Sequence, residues 1–237
     1  MIYYDYRSLP FKVRWYWFTN PFECPNTDEV IFFSYEDTVA GGFKKRNGLT
    51  TVIDLTKDTD ELWNNLREKY MRKQIEKGTK NGIEVRHDND YKSFYSIYKL
   101  FRKSSKLPIE NTAALRPFAT IVNAYRSNVI LSTGLFLGDG EIMRAWALAS
   151  IRHGLDGKNR EIVGQANRMI IWETIVKAKS DGYKLFDLGG IDPASDKQGD
   201  RQLLEFKEAY GGARRNVYYY SKTYSSILKF LKKHKLV

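Results

Sequence analysis

Lys184-Leu185-Phe186-Asp187-Leu188-Gly189-Gly190 is the stretch on which the reading of the fold turns. Residues 183–188 form a short apolar run of the kind a buried strand shows. The glycine pair that follows lets the backbone bend sharply where a ligand approaches. Just upstream, 167–181 carries Ile170, Trp172, Ile175 and Val176 at helical spacing, and Gly182 stops that helix. Further upstream, apolar runs at 128–137 and 141–151 flank Gly138-Asp139-Gly140, a hairpin signature. Hairpin, long helix, buried strand is the grammar of a sheet with a helix packed on it.

On the N-terminal side, 12–18, 29–35 and 50–55 read as strands, with turn signals at Gly41-Gly42 and Asn47-Gly48. A helix is predicted over 58–78, capped by Asp58 with Glu61 three residues on, with Leu62, Leu66 and Tyr70 on one stripe. A second spans 90–104 and a third 113–127, the latter on Leu115, Phe118, Val122 and Tyr125. After the glycine pair come a helix end at 204–210, a strand at 217–220 and a last helix at 224–234. This order predicts α+β or mixed α/β: a central mixed sheet with helices on both faces. Residues 1–57 are read as a strand-rich part of the same domain as a 58–222 core, and 223–237 as a basic amphipathic C-terminal helix.

The 237 residues are 42% apolar and 14% aromatic, enough for a real core and too aromatic for a disordered chain. No apolar run approaches the roughly 18–20 residues that span a bilayer, and Asp5 and Arg7 interrupt any signal-like start. Cys24 is alone, and His87, His153 and His234 are scattered, so no metal site is expected and a reducing cytoplasm fits. The net charge of +11 is local. From Tyr210 to the C-terminus there are seven Lys/Arg and no acid, leaving +4 for everything before. Either an anionic partner (nucleic acid, phosphorylated donor, anionic membrane surface) or a solvated tail accounts for it.

No nucleophile elbow or P-loop is present. Gly164-Gln165-Ala166-Asn167 reads as a glycine-containing entry to the long helix, where free N–H groups and the positive dipole end bind anions; an ordinary helix start reads the same way. Leu204 to Gly212 places Lys207 and Tyr210 around a helix end closed by Gly211-Gly212, which is also how a plain cap looks.

Asp187-Leu188-Gly189-Gly190-Ile191, then Phe206-Lys207, then Tyr210-Gly211-Gly212 and a tyrosine-rich strand resemble the C-terminal signature of FemABX-type peptidyltransferases. Met71-Arg72-Lys73-Gln74-Ile75-Glu76-Lys77 before Gly82-Ile83-Glu84-Val85 is similar to that family's R-x-x-I-x-K helix and next strand. Asn167 with Trp172-Glu173 and Ile175 is similar to its long helix. The resemblance covers about residues 55–222. It implies a GNAT fold, here as a single unit where full-length relatives carry two GNAT-like halves. It implies an enzyme that moves an acyl or aminoacyl group from acyl-CoA or aminoacyl-tRNA to an amine of a small-molecule, lipid-linked or nucleotide-linked cell-envelope precursor such as a peptidoglycan intermediate. No permanently bound cofactor is implied.

The resemblance also implies roles for residues. Strand 143–151, around Trp146 and Ala147, would offer backbone N–H to the donor carbonyl, and Gly164, Gln165, Ala166, Asn167 and Arg168 would hold the donor. Glu161 stands where acetyl-CoA enzymes of this fold carry Arg or Gln; Arg160 and Arg168 flank it. Lys207 would stabilise the tetrahedral intermediate and Tyr210 would hydrogen-bond there or pass a proton to the leaving group. Asp187 is either a base or a strand-end structural residue. Gly189 and Gly190 would face the acceptor, and Arg72 and Lys73 either bind its phosphate or carboxylate or form a solvated face. The rival class is a noncatalytic nucleic-acid or membrane-surface binder, suggested by the basic tail and 16 tyrosines; for the enzyme, tRNA and peripheral contact with an anionic membrane at its inner face stay open as partners. Oligomeric state stays open.

Overall fold

A computed structural model describes residues 1–8, 10–191 and 198–234. The described chain runs β1 (Ile2–Ser8), β2 (Phe11–Trp17), β3 (Glu29–Ser34), β4 (Lys44–Asp54), α1 (Thr59–Asn65), a five-residue π-helical turn (Glu68–Arg72) and α2 (Lys73–Lys80). It continues through β5 (Glu84–Arg86), α3 (Tyr91–Ser104), a 3-10 turn (Ala113–Phe118), β6 (Ala119–Arg126), β7 (Val129–Gly138) and β8 (Ile142–Ser150). Then come α4 (Gly157–Ser180), β9 (Leu185–Ile191), α5 (Gln198–Glu208), β10 (Ala213–Thr223) and α6 (Ser226–Lys233).

The chain divides into two compact units, one of Met1–Thr50, Gly190–Ser195 and Arg214–Val237, the other of Thr51–Gly189 and Asp196–Ala213. The N-terminal strands and the C-terminal helix share a unit. The last three residues of the predicted tail lie outside the described residues.

In the first unit, β1 pairs antiparallel with β2, β2 parallel with β3, and β3 antiparallel with β10. Tyr16, Val30, Phe32 and Tyr220 pack on one face of these strands, with Tyr218, Phe43 and Tyr224 against them. Alternation along β2 and β3 sends Trp15, Trp17 and Phe33 to the other face.

In the second unit, β5, β6, β7 and β8 form an antiparallel run and β9 joins β8 in parallel, so the sheet is mixed as expected. The parallel step is made by α4, the crossover such a step requires. Ile162, Val163, Ala166, Met169, Ile170 and Ala178 of α4 sink into the core with Val122, Ala124, Phe136, Ala145 and Phe186 of the strands. The buried residues of α3 (Phe94, Ile97, Tyr98) touch the same strands but join none of that cluster, which puts helices on both faces. No described helix is long and apolar enough to cross a membrane.

Three elements differ from the sequence reading. The predicted helix 113–127 is a 3-10 turn followed by β6: Pro117 removes a helical donor, and Thr120-Ile121-Val122 prefer the pleated ladder. The predicted helix 58–78 breaks at Leu66, whose backbone is extended, and resumes through the π turn. The long helix starts at Gly157, ten residues ahead of the expected 167, because Asp156 caps it by accepting from Asn159 N at 3.1 Å.

Candidate functional site

The ladder between β8 and β9 holds for three pairs, Ile142↔Leu185, Met143↔Phe186 and Arg144↔Asp187, and then stops while both strands continue. On its other side β8 pairs Ala147 with Leu135 and Ala145 with Phe136, so Trp146 is an inserted residue, a β-bulge. A bulge on one strand and a lost ladder on the next open a gap whose walls are backbone. Trp146 turns its ring towards Tyr98 of α3, centroids 6.3 Å apart.

Gly189 borders this gap with φ +87°, a conformation that favours glycine, and a Cβ there would lie 2.9 Å from the carbonyl oxygen of Ala145. The turn is held by its neighbours. Asp187 is fully buried, accepts from Gly189 N at 2.7 Å and forms an ion pair with Arg144, itself 5% exposed. In this position the Asp187 carboxylate bridges the turn and Arg144.

Lys207, in the last turn of α5, reaches the same turn and donates from Nζ to the carbonyl oxygen of Gly189 at 2.7 Å. Burial, and secondly the nearby Arg144, lower its ammonium to about 8, with Asp187 pulling the other way. An amine so placed changes charge near neutral pH, which ordinary surface lysines do not.

A second feature sits where β8 ends and α4 begins. Phe101, Arg152, His153, Gly154, Leu155 and Arg160 line a cavity of about 310 Å³. Arg152, His153, Lys158 and Arg160 are exposed there, and the first turn of α4 presents its N-terminal dipole to them. His153 is held by Ser105 Oγ at 3.1 Å from Nε2, and its ring lies 5.9 Å from Phe101. Phe101 stands one α3 turn beyond Tyr98, so one helix lines both the bulge and the cavity.

This placement corrects the expected donor cradle. Gly164, Gln165, Ala166 and Asn167 lie in the third turn of α4, not at its mouth, so their N–H groups are spent on the helix. Ala166 is in the core. Gln165 is buried and accepts from Asn81 Nδ2 at 2.8 Å, and Asn167 bonds Ser132 of β7. Arg168 donates to Tyr70 O and Gly164 O, both at 2.8 Å, and lies over the Phe206 ring; burial lowers its guanidinium below the ordinary value. It staples α4 to the π turn.

Tyr210 follows Lys207 by three residues, and its backbone N–H donates to the Lys207 carbonyl oxygen at 3.1 Å. Its hydroxyl donates to Arg168 O at 3.3 Å, its ring meets Phe206 edge-on, and burial drives its phenol far above the usual range. Its hydroxyl thus ties the segment after α5 to α4. Arg72 and Lys73 stand at the surface near Glu68, at 3.9 and 3.2 Å, and Arg72 bonds Asn64. The structure therefore brings together Lys207, Asp187 and Gly189, beside the bulge at Trp146 and Ala147. The sequence reading missed Arg144, Arg152 and His153; a basic pair right after strand 141–151 was the available signal for the last two.

Neither a family model nor a curated protein sequence matches this chain. Solved structures do. The crystal structure of FemX superposes with a TM-score of 0.66 over 95% of this chain and 84% of that one, at 13% identity. The chain has a FemX-like fold. The same fold extends to the C-terminal domain of a putative lysylphosphatidylglycerol synthetase from Agrobacterium fabrum, TM-score 0.55, 10% identical, covering 94% of this chain and 80% of that one. The L-PGS structure from Bacillus licheniformis reaches 0.52 at 13% identity, over 86% and 70%. At these identities the FemX-like likeness speaks for architecture alone.

Proposed function

We propose that the protein is an N-acyltransferase that moves an acyl or aminoacyl group from an activated, phosphate-bearing donor to an amine. The observation that carries this reading is the buried Lys207 amine at the Gly189 turn, beside the bulged and unladdered part of β8. Backbone N–H groups around Trp146 and Ala147 would polarise the donor carbonyl. As the acceptor amine attacks, charge develops on the tetrahedral oxygen and the leaving group. Lys207, as an ammonium with a pKa of about 8, would stabilise that charge and give up its proton readily. Arg144 and Asp187 would act by holding the turn.

The cavity at the start of α4 supports a phosphate site for the donor, with Arg152, Arg160 and the helix N-terminus as its ligands. From Trp146 to Arg152 is six residues, at most about 20 Å of extended chain. That span suits acyl-CoA, whose pantetheine arm separates pyrophosphate from thioester; in aminoacyl-tRNA a phosphate further from the 3′ end than that of the terminal nucleotide would have to reach the cavity. The acceptor would be the amine of a small-molecule or cell-envelope precursor in the cytoplasm.

Donor identity is tested by thermal shift of the full chain with CoA, acetyl-CoA, bulk aminoacyl-tRNA and deacylated tRNA. A specific donor raises the midpoint by mass action, and Arg152→Ala with Arg160→Ala should remove the rise. No rise with any of the four, or a rise indifferent to those substitutions, contradicts the donor site.

A further inference from the structure

The apolar residues of the C-terminal helix fall on two sides. Leu228 of α6 is buried and Leu231 half-buried, and Lys232 pairs with the nearly buried Glu29, so one side of the helix docks on its own unit. Ser225 caps the start, accepting from Leu228 N at 3.3 Å. The remaining apolar residues point away: Ile227 is 65% and Phe230 59% exposed. At 100° per residue, Phe230 and Ile227 lie side by side, with Lys229 and Lys233 flanking them on the edge away from Leu228. His234 packs on the Phe230 ring at 4.5 Å between centroids.

We propose that this face of α6 is a docking surface for an anionic lipid bilayer. It is independent of the acyltransferase reading. The choice of occupant rests on the combination of chemistries. Of the seven basic residues from Tyr210 onward, Lys222 and Lys232 pair with Glu23 and Glu29, whereas Lys229 and Lys233 stand exposed beside Ile227 and Phe230 on a segment that carries no acid of its own. A second copy of the chain would bring the same cations against each other. Nucleic acid would satisfy the lysines and could stack on Phe230, but gives no reason for a branched aliphatic side chain to stand out in water beside it. An anionic bilayer supplies both an anionic surface for Lys229 and Lys233 and an apolar interior for Ile227 and Phe230. With Leu228 and Lys232 holding the other side, the helix is already ordered, so insertion does not require folding it.

The test is flotation of the full chain with vesicles of phosphatidylcholine alone or with one-quarter phosphatidylglycerol, at 0.1 and 0.5 M NaCl. Binding is expected to the anionic vesicles, weakened at high salt. Ile227→Ser with Phe230→Ser, which leaves the charge unchanged, should weaken it by about tenfold or more. Lys229→Glu with Lys233→Glu should weaken it comparably. Both variants change exposed residues, and an unchanged thermal midpoint verifies their fold. Phe230→Trp should add emission that shifts to the blue on binding. Absence of flotation, equal binding by the serine variant, or binding to tRNA with none to vesicles each overturns the proposal.

Discussion

The gap between β8 and β9 and the mouth of α4 both gather cations, in opposite ways. At the gap, Arg144 and Lys207 are 5% and 7% exposed, and the carboxylate and carbonyl they need are built in. At the mouth, Arg152 and Arg160 stand in solvent around a cavity, and Lys158 is exposed in the same first turn of α4. A buried cation is expensive unless paired, so its geometry is fixed and its pKa moves; an exposed one is screened and waits for a partner. The first arrangement suits chemistry on a reacting carbonyl, the second capture of an anion.

The largest effect should come from breaking the buried pair. Asp187→Ala leaves Arg144 uncompensated and should destabilise the fold by about 3–5 kcal/mol in urea unfolding. Adding Arg144→Met should recover most of that. If the single variant loses less than about 1 kcal/mol, the gap is not held by this pair.

Next comes Lys207. Lys207→Ala should lower kcat more than tenfold, about 1.4 kcal/mol of barrier, in a folded protein. In the wild type kcat should fall as pH rises through about 8, where the ammonium is lost, and that limb should vanish in the variant. Stability should move the other way. The folded lysine releases its proton near 8 against an ordinary 10.5, so the unfolded chain holds more protons between these values and stability rises with pH across that window. Lys207→Met should therefore stabilise most below pH 8, with the advantage shrinking towards 10.5. A pH-independent difference between Met variant and wild type would mean the buried amine is not titrating there.

The mouth should respond more gently. Arg152→Ala or Arg160→Ala should raise KM for the donor about tenfold, change kcat less than about threefold, and show a smaller difference at high salt. An equal loss in kcat would move these arginines into the gap's chemistry. Smallest of all is Tyr210→Phe, which removes a hydrogen bond to Arg168 O and should lose about 1 kcal/mol of stability while leaving kcat within about twofold. A larger kcat loss would return Tyr210 to the reaction.

The same contrast explains what the sequence disclosed. Residues 183–190 announced a buried strand and a sharp turn, because apolar runs and paired glycines act locally. The crossover order of hairpin, helix and strand followed from them. Lys207 was legible as a lysine at a helix end, but its burial against Gly189 joins residues 18 apart and has no local signature. Arg144 was hidden in an apolar run for the same reason. Gly164 misled because glycine is a helix breaker in isolation, whereas here Asp156 starts the helix earlier and the stripe through Ile162, Val163 and Ala166 carries it across. The strand β6 was misread since Leu115, Phe118, Val122 and Tyr125 fall at helical spacing by coincidence, and Pro117 should have outweighed them.

The central claim is amide formation at the β8–β9 gap, and the direct measurement is acceptor-dependent transfer of label. Full-length protein is incubated with radiolabelled aminoacyl-tRNA or acyl-CoA and a panel of amine-bearing envelope precursors, and alkali-stable amide is counted. The account predicts label in an acceptor with one donor class, at a rate more than tenfold lower for folded Lys207→Ala. Amide formed equally well by Lys207→Ala, or no amide from either donor with any acceptor, would contradict it.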